Sequence, residues 1–183
     1  MIWPFSSCSA GGADDLKTDR LRLVPITPEM MASEALADGS LAKVIHARLT
    51  PEWPPEHWEL HVFEMISKQL IDEPKTAGWH RYVVLPDSYG CGKTLIGAVG
   101  GFPKAEGDVE IGYSTLPAFQ RKGYGTEAAV ALVEWLLKRK NVRSVSAQTF
   151  PSLPESIKVM ERCGMSFAGA GDEEGTVRYR RLR

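Results

Sequence analysis

The chain predicts an α/β fold on one central mixed sheet, and three observations predict it. Short alternating apolar runs are interleaved with helical apolar spacings along most of the length. A basic, glycine-containing loop joins one alternating run to a long helical one. The order reads strand, helices, three strands, helix, strand, helix, two strands, which suits helices packed on a shared sheet.

The elements follow in turn. Leu21 and Leu23 alternate with Arg20 and Arg22, then Ile26 follows past Pro25, giving a first strand near 19–26. Thr27-Pro28-Glu29 opens a helix, with Thr27 as N-cap and Pro28 in the first helical position. Met31, Ala35 and Leu36, then Leu41, Val44, Ile45 and Leu49, predict two short helices broken at Gly39. A stiff turn at 50–55 leads to a helix near 56–71 carrying Trp58, Val62, Met65, Ile66, Gln69 and Leu70 and ending before Pro74. Segments 79–85 and 95–102 read as a hairpin around 86–90, and 109–115 as the strand after it. A helix over 124–139, a strand over 142–149, a helix over 154–163 ended by Gly164, and strands at 165–168 and 176–182 complete the order. Strand 142–149 is expected to return parallel to 109–115 through a right-handed crossover.

Length and composition narrow the classes. A chain of 183 residues with 43% apolar content suits one domain with a real core. Residues 1–17 are expected as a flexible lead-in and 18–183 as a single domain. Twenty-two basic against 23 acidic residues, net charge -1, argue against a nucleic-acid partner bound by a broad cationic face. Cys8, Cys91 and Cys163 form no CxxC pair, so neither a disulfide framework nor a zinc ribbon is expected, and a cytoplasmic location fits. No run approaches a membrane span, so no membrane partner is expected. His57 and His61 are spaced for metal on a helix, but no third ligand is evident, so no metal site is expected.

The loop Gln120-Arg121-Lys122-Gly123-Tyr124-Gly125-Thr126 carries most of the functional signal. A helix's first N–H groups lack intrahelical partners, and its dipole leaves partial positive charge there, so this position binds phosphate. Gly123 and Gly125 allow close approach to the main chain, and Arg121 and Lys122 add charge. Two familiar motifs are excluded. Gly123 to Ala128 satisfies GxGxxG/A, yet 116–122 intervene after the strand, and 141–154 hold no acid to bind a ribose. Gly92-Lys93-Thr94 has the tail of a P-loop, but Asp87 stands where its first glycine belongs and a strand follows.

The arrangement QxxGxG, after a strand and a Pro117-containing loop, resembles motif A of the GNAT superfamily of N-acetyltransferases. Val109-Glu110-Ile111-Gly112-Tyr113, the loop itself, Leu132 to Trp135, and Ser156 to Met165 are similar to the branch containing the ribosomal-protein N-terminal acetyltransferases RimJ and RimL. Residues 18–23 resemble that branch's opening strand. The resemblance implies a mostly antiparallel twisted sheet of six to seven strands splayed around a coenzyme cleft, with about four helices. It implies acetyl-coenzyme A as cosubstrate, a primary amine as acceptor (a protein N-terminus or a small amine), and a homodimer as a common assembly. It places the backbone of Thr115 and Leu116 along the pantetheine arm and residues 120–126 around the diphosphate.

Alternation puts Glu110, Gly112 and Ser114 on one face of their strand and Val109, Ile111 and Tyr113 on the other. Glu110 is then a candidate general base, with a salt-bridged strand glutamate as the alternative. Many members of the superfamily use a Tyr four residues before the closing glycine, where this chain has Met160. Ser156 matches a serine the branch places near the coenzyme and is the candidate hydrogen-bond donor to sulfur, with an N-terminal helix serine as the alternative. Leu153 replaces the branch's usual Asn. A non-catalytic acyl-coenzyme A sensor is the rival reading, and Trp53, Trp58 and Trp79 are either core anchors or walls of the acceptor site.

Overall fold

Both faces of the sheet are apolar, so both need covering. The computed structural model describes residues 14–55, 58, 60–87 and 92–183. Among these, eight strands form one sheet: β1 (Leu16–Lys17), β2 (Arg22–Pro25), β3 (Arg81–Pro86), β4 (Lys93–Pro103), β5 (Asp108–Thr115), β6 (Ser144–Thr149), β7 (Ser166–Ala170) and β8 (Val177–Leu182). Their spatial order is β1-β2-β3-β4-β5-β6-β8-β7. Five helices flank them: α1 (Pro28–Ala35), α2 (Ser40–Ile45), α3 (Leu60–Asp72), α4 (Tyr124–Leu137) and α5 (Pro154–Arg162). The mixed, mostly antiparallel class is as expected, but the counts exceed six to seven strands and about four helices. One added strand comes from the expected lead-in, where Leu16 and Lys17 pair with Leu23 and Arg22.

Local chemistry explains most boundaries. The Thr27 hydroxyl accepts from the Met30 N–H at 3.2 Å and Pro28 opens α1, as expected. Gly39 is left-handed at φ 80°, which separates α1 from α2. Helix α3 stops before Pro74, whose ring disfavours helical geometry in the residue ahead of it. Strand β3 starts at Arg81 rather than 79, although the Trp79 and His80 carbonyls still accept from the Gly101 and Ile26 N–H groups. The hairpin tip at 88–91, Cys8, His57 and Glu56 lie outside the described residues, so the expectations for them do too.

Alternation along β3 and β4 sorts side chains into two cores. Val83, Ile96, Val99, Val109 and Val145 pack against Ala128, Leu132, Val133 and Leu136 of α4. Tyr82, Val84, Leu95 and Ala98 face the other way, onto Met31, Leu41, Ile45 and Ile66 of α1, α2 and α3. Each fully buried aliphatic side chain contributes roughly 1.5–3 kcal/mol, so both faces are strongly held.

One joint differs from the rest. Strands β5 and β6 are the parallel pair, as expected from the crossover, and their pairing runs from Asp108–Ser144 to Glu110–Ser146. Beyond Glu110, β5 continues to Thr115 against β4, while β6 continues to Thr149 against β8. The sheet therefore splits at its centre, and the split opens toward the loop that begins α4.

Candidate active site

The alternation of antiparallel hydrogen bonds decides which backbone groups face the split. The Leu116 N–H donates to the Ile96 carbonyl at 2.8 Å, so even-numbered residues of β5 point their backbone groups toward β4. Odd-numbered residues point theirs toward β6, and from Tyr113 onward β6 is no longer paired there. Tyr113 and Thr115 thus present an open strand edge. Leu116, expected to share that role, does not: its N–H serves Ile96, its carbonyl accepts from Phe119 at 2.8 Å, and its side chain is fully buried. The Thr115 carbonyl already receives the Gln120 side-chain amide at 2.9 Å, so Gln120 ties the loop to the strand end.

The first turn of α4 leaves its N–H groups without helical partners. Gly123 sits at the N-cap of α4 at φ 82° with no side-chain cap, and the first helical hydrogen bond runs from Glu127 N–H to Gly123 carbonyl. The N–H groups of Tyr124, Gly125 and Thr126 precede that bond and have no intrahelical acceptor. Arg121 is left-handed at φ 60° and exposed; Lys122 donates its ammonium to the Ala118 carbonyl at 2.8 Å. A Cβ on Gly125 would lie 3.1 Å from the Thr115 hydroxyl, so the bare main chain of α4 closely approaches the end of β5. The uncapped turn, the glycines and the open edge fit a diphosphate with an extended arm.

Arg20, which sequence reasoning placed only in an opening strand, braces this loop. Its backbone N–H and guanidinium donate to the Glu127 carboxylate at 2.9 and 2.7 Å, and a second guanidinium nitrogen donates to the Lys122 carbonyl at 3.0 Å. Thr18 donates to the same carboxylate at 2.5 Å. Burial raises the Glu127 pKa, but these hydrogen bonds outweigh it and hold the carboxyl below its ordinary value.

Ser156 and Tyr113 meet across the split. The Tyr113 hydroxyl lies 2.9 Å from the Ser156 hydroxyl and donates to the Ser156 carbonyl at 3.1 Å. The serine is therefore joined to β5 rather than merely capping its own helix. Burial pushes the Tyr113 phenol up to about 12, so it keeps its proton at neutral pH. Tyr113 was not singled out as catalytic, although its place beside Gly112 at the end of β5 was the available signal. Met160, where other members carry a Tyr, is buried in the core beside Cys163 and Met165.

Glu110 does face the other side of the sheet, as alternation predicts. Its carboxylate, 16% exposed, lies 3.5 Å from the Lys104 ammonium and 3.7 Å from the Arg178 guanidinium, and accepts from Gln148 at 3.3 Å. The salt-bridged alternative thus describes its surroundings, although its Oε2 has no hydrogen-bond partner among the described residues. Beyond it a cavity of about 230 Å³ is bounded by Gly112, Ser114, Phe102, His80, Val62 and Trp58. Gln69 donates to the Gly101 carbonyl at 3.1 Å, which leaves its carbonyl to accept from His80 Nε2 at 3.0 Å. Burial drives the His80 pKa down to about 3, so the ring is neutral, with its unprotonated Nδ1 against Gly100. Of the three tryptophans, Trp79 is core, while Trp58 lines this cavity and Trp53 a neighbouring one.

A split parallel pair, an uncapped glycine turn at the strand end and a cavity on the opposite face suit a class, the acyl-coenzyme A dependent transferases. Comparison gives the family. Residues 20–166 match the model of the acetyltransferase (GNAT) domain, and the chain belongs to that family of acetyl-coenzyme A dependent acyltransferases. It is 28% identical over 152 residues to the uncharacterized N-acetyltransferase YjdG of Bacillus subtilis, covering 81% of this chain and 88% of YjdG. Among solved structures it resembles an acetyltransferase from Agrobacterium tumefaciens, with a TM-score of 0.65 and 21% identity over 94% of this chain and 96% of that one. It also resembles RimL, a ribosomal alpha-N-protein acetyltransferase solved with coenzyme A, with a TM-score of 0.61 and 14% identity over 92% and 98%. At these identities the structural likeness speaks for the fold alone. No helix among the described residues is long and apolar enough to cross a membrane.

Proposed function

We propose that the protein is an N-acetyltransferase of the RimJ/RimL type, moving the acetyl group of acetyl-coenzyme A directly to a primary amine in a ternary complex. The observation that carries the reading is the open edge of β5 ending at an uncapped helix turn. Tyr124, Gly125 and Thr126 N–H groups hold the diphosphate, Arg121 and Lys122 add charge, and Tyr113 and Thr115 pair with the pantetheine arm. The thioester then lies in the split, between the acceptor cavity and the Tyr113–Ser156 pair. Holding both reactants in line supplies much of the rate.

The balance of the step assigns the remaining roles. The amine nitrogen bonds to the thioester carbon as the carbon–sulfur bond breaks, so one proton leaves nitrogen and one is taken by the thiolate. Glu110 takes the first through water, since it shares the face of β5 on which Gly112 and Ser114 line the cavity. Tyr113 and Ser156 deliver the second. The acceptor is a protein N-terminus or a small amine whose reacting end enters beside Gly112 and Ser114.

The test is steady-state thiol release with both substrates varied, against a panel of N-terminal peptides and small amines. Direct transfer gives intersecting double-reciprocal lines, and Glu110→Gln lowers kcat about tenfold or more. Parallel lines would contradict direct attack, and coenzyme binding without turnover of any amine would favour the sensor.

A further inference from the structure

The cavity next to the acceptor cleft holds a carboxylate in unusual surroundings. Glu34, on α1, accepts the indole N–H groups of Trp53 at 3.0 Å and Trp58 at 2.8 Å on one oxygen, and the Tyr82 hydroxyl on the other. The three rings are inclined rather than stacked, with centroids 5.7–6.3 Å apart and interplanar angles of 51–73°. They form an aromatic box around the carboxylate. The box opens into a cavity of about 460 Å³ whose other walls include Leu41, Leu49 and Phe63.

A carboxylate in apolar surroundings needs a countercharge. Among the described residues lining this cavity none is basic, and the three donors to Glu34 are neutral. Those three hydrogen bonds use three of about four acceptor positions, so one remains. Burial raises the Glu34 pKa, and the hydrogen bonds from Tyr82, Trp58 and Trp53 only partly oppose it. A cation entering the cavity would meet the carboxylate with its remaining acceptor position and the two indoles that line the wall beside it. Those are the components of an ammonium site. Trp58 also lines the acceptor cavity, so a group held here lies next to the reacting amine.

We propose that the Glu34–Trp53–Trp58–Tyr82 box seats the non-reacting ammonium group of the acceptor, so that the preferred acceptor carries at least two amino groups. This rests on the transferase reading above and adds the substrate class to it.

Two measurements test the two parts. In the first, n-butylammonium and n-butanol are titrated into the wild-type protein without coenzyme, with indole fluorescence as the readout. Saturable change with the cation, at least tenfold weaker with the alcohol, is expected; equal response to both would overturn the site without recourse to any variant. Glu34→Gln should weaken cation binding at least tenfold, and Trp53→Phe, which keeps an aromatic ring but loses the N–H donor, severalfold. In the second, kcat/KM for 1,4-diaminobutane is compared with that for n-butylamine. A ratio of ten or more that collapses toward one in Glu34→Gln is expected. Cation binding with a ratio near one would overturn the assignment to the acceptor and leave Glu34 as a clasp for the two tryptophans. Cation binding with no turnover of any amine would instead strike the transferase reading and leave the cation site standing.

Discussion

The two faces of the sheet are built alike, and the roles proposed for them differ. On the α4 face the groups proposed to hold the coenzyme come from one short stretch, 113–126, plus Ser156, and most of them are main-chain atoms. On the α1–α3 face the groups proposed for the acceptor are side chains from separate segments, with Glu34 and Tyr82 drawn together across 48 residues. A coenzyme shared by a whole family can be held by backbone geometry that any suitable loop provides. An acceptor particular to one protein must be recognised by side chains, and those are assembled by the tertiary fold.

The largest effect expected from this difference lies on the acceptor face. The His80 pKa in the folded state, about 3, is below its ordinary 6.5, so between these values the unfolded chain binds a proton that the native one does not. Stability from this group is full above about pH 6.5 and declines as pH falls toward 3, by as much as about 5 kcal/mol over the whole interval. Urea melts at pH 7 and pH 4.5 on wild type and His80→Gln check it. The variant should show the shallower loss, and parallel losses would mean His80 is not buried neutral.

Next, Gly125→Val sets side-chain atoms against the Thr115 hydroxyl and over the free N–H groups. We expect acetyl-coenzyme A affinity to fall about 100-fold, or roughly 2.7 kcal/mol, while alkylammonium binding on the other face stays within twofold. Calorimetry with each ligand separates the two faces directly.

Tyr113→Phe and Ser156→Ala should each lower kcat about 30-fold with coenzyme Kd nearly unchanged. The double variant should be little worse than either, because the two hydroxyls act as a unit. Additive losses in single-turnover rates would show independent roles. The smallest effect is at Arg20→Ala, a partly exposed brace worth about 1 kcal/mol. The KM for acetyl-coenzyme A should rise severalfold with little change in kcat, and high salt should narrow the gap.

The same contrast governs what the amino-acid sequence reveals. Helix α1, the α4 loop and the parallel return of β6 were legible because Thr27-Pro28, the glycines and the apolar period act over a few residues. The direction of the Leu116 N–H was not legible because it depends on register with Ile96, which alternation alone does not supply. Arg20 was missed because its partners, Lys122 and Glu127, lie about a hundred residues away. Glu110 was placed on the correct face, yet Lys104 and Arg178 beside it come from other strands and loops. Glu34 gave no signal at all, since nothing in its own helix distinguishes it from a solvated glutamate.

The central claim is that the coenzyme lies on the open edge of β5 and the first turn of α4. Amide hydrogen exchange, followed by mass spectrometry with and without saturating acetyl-coenzyme A, tests it most directly. Protection centred on 113–126, with little change in α1 and α2, is the predicted result. Exchange unaltered over 113–126, or protection confined to the α1–α3 face, would contradict it.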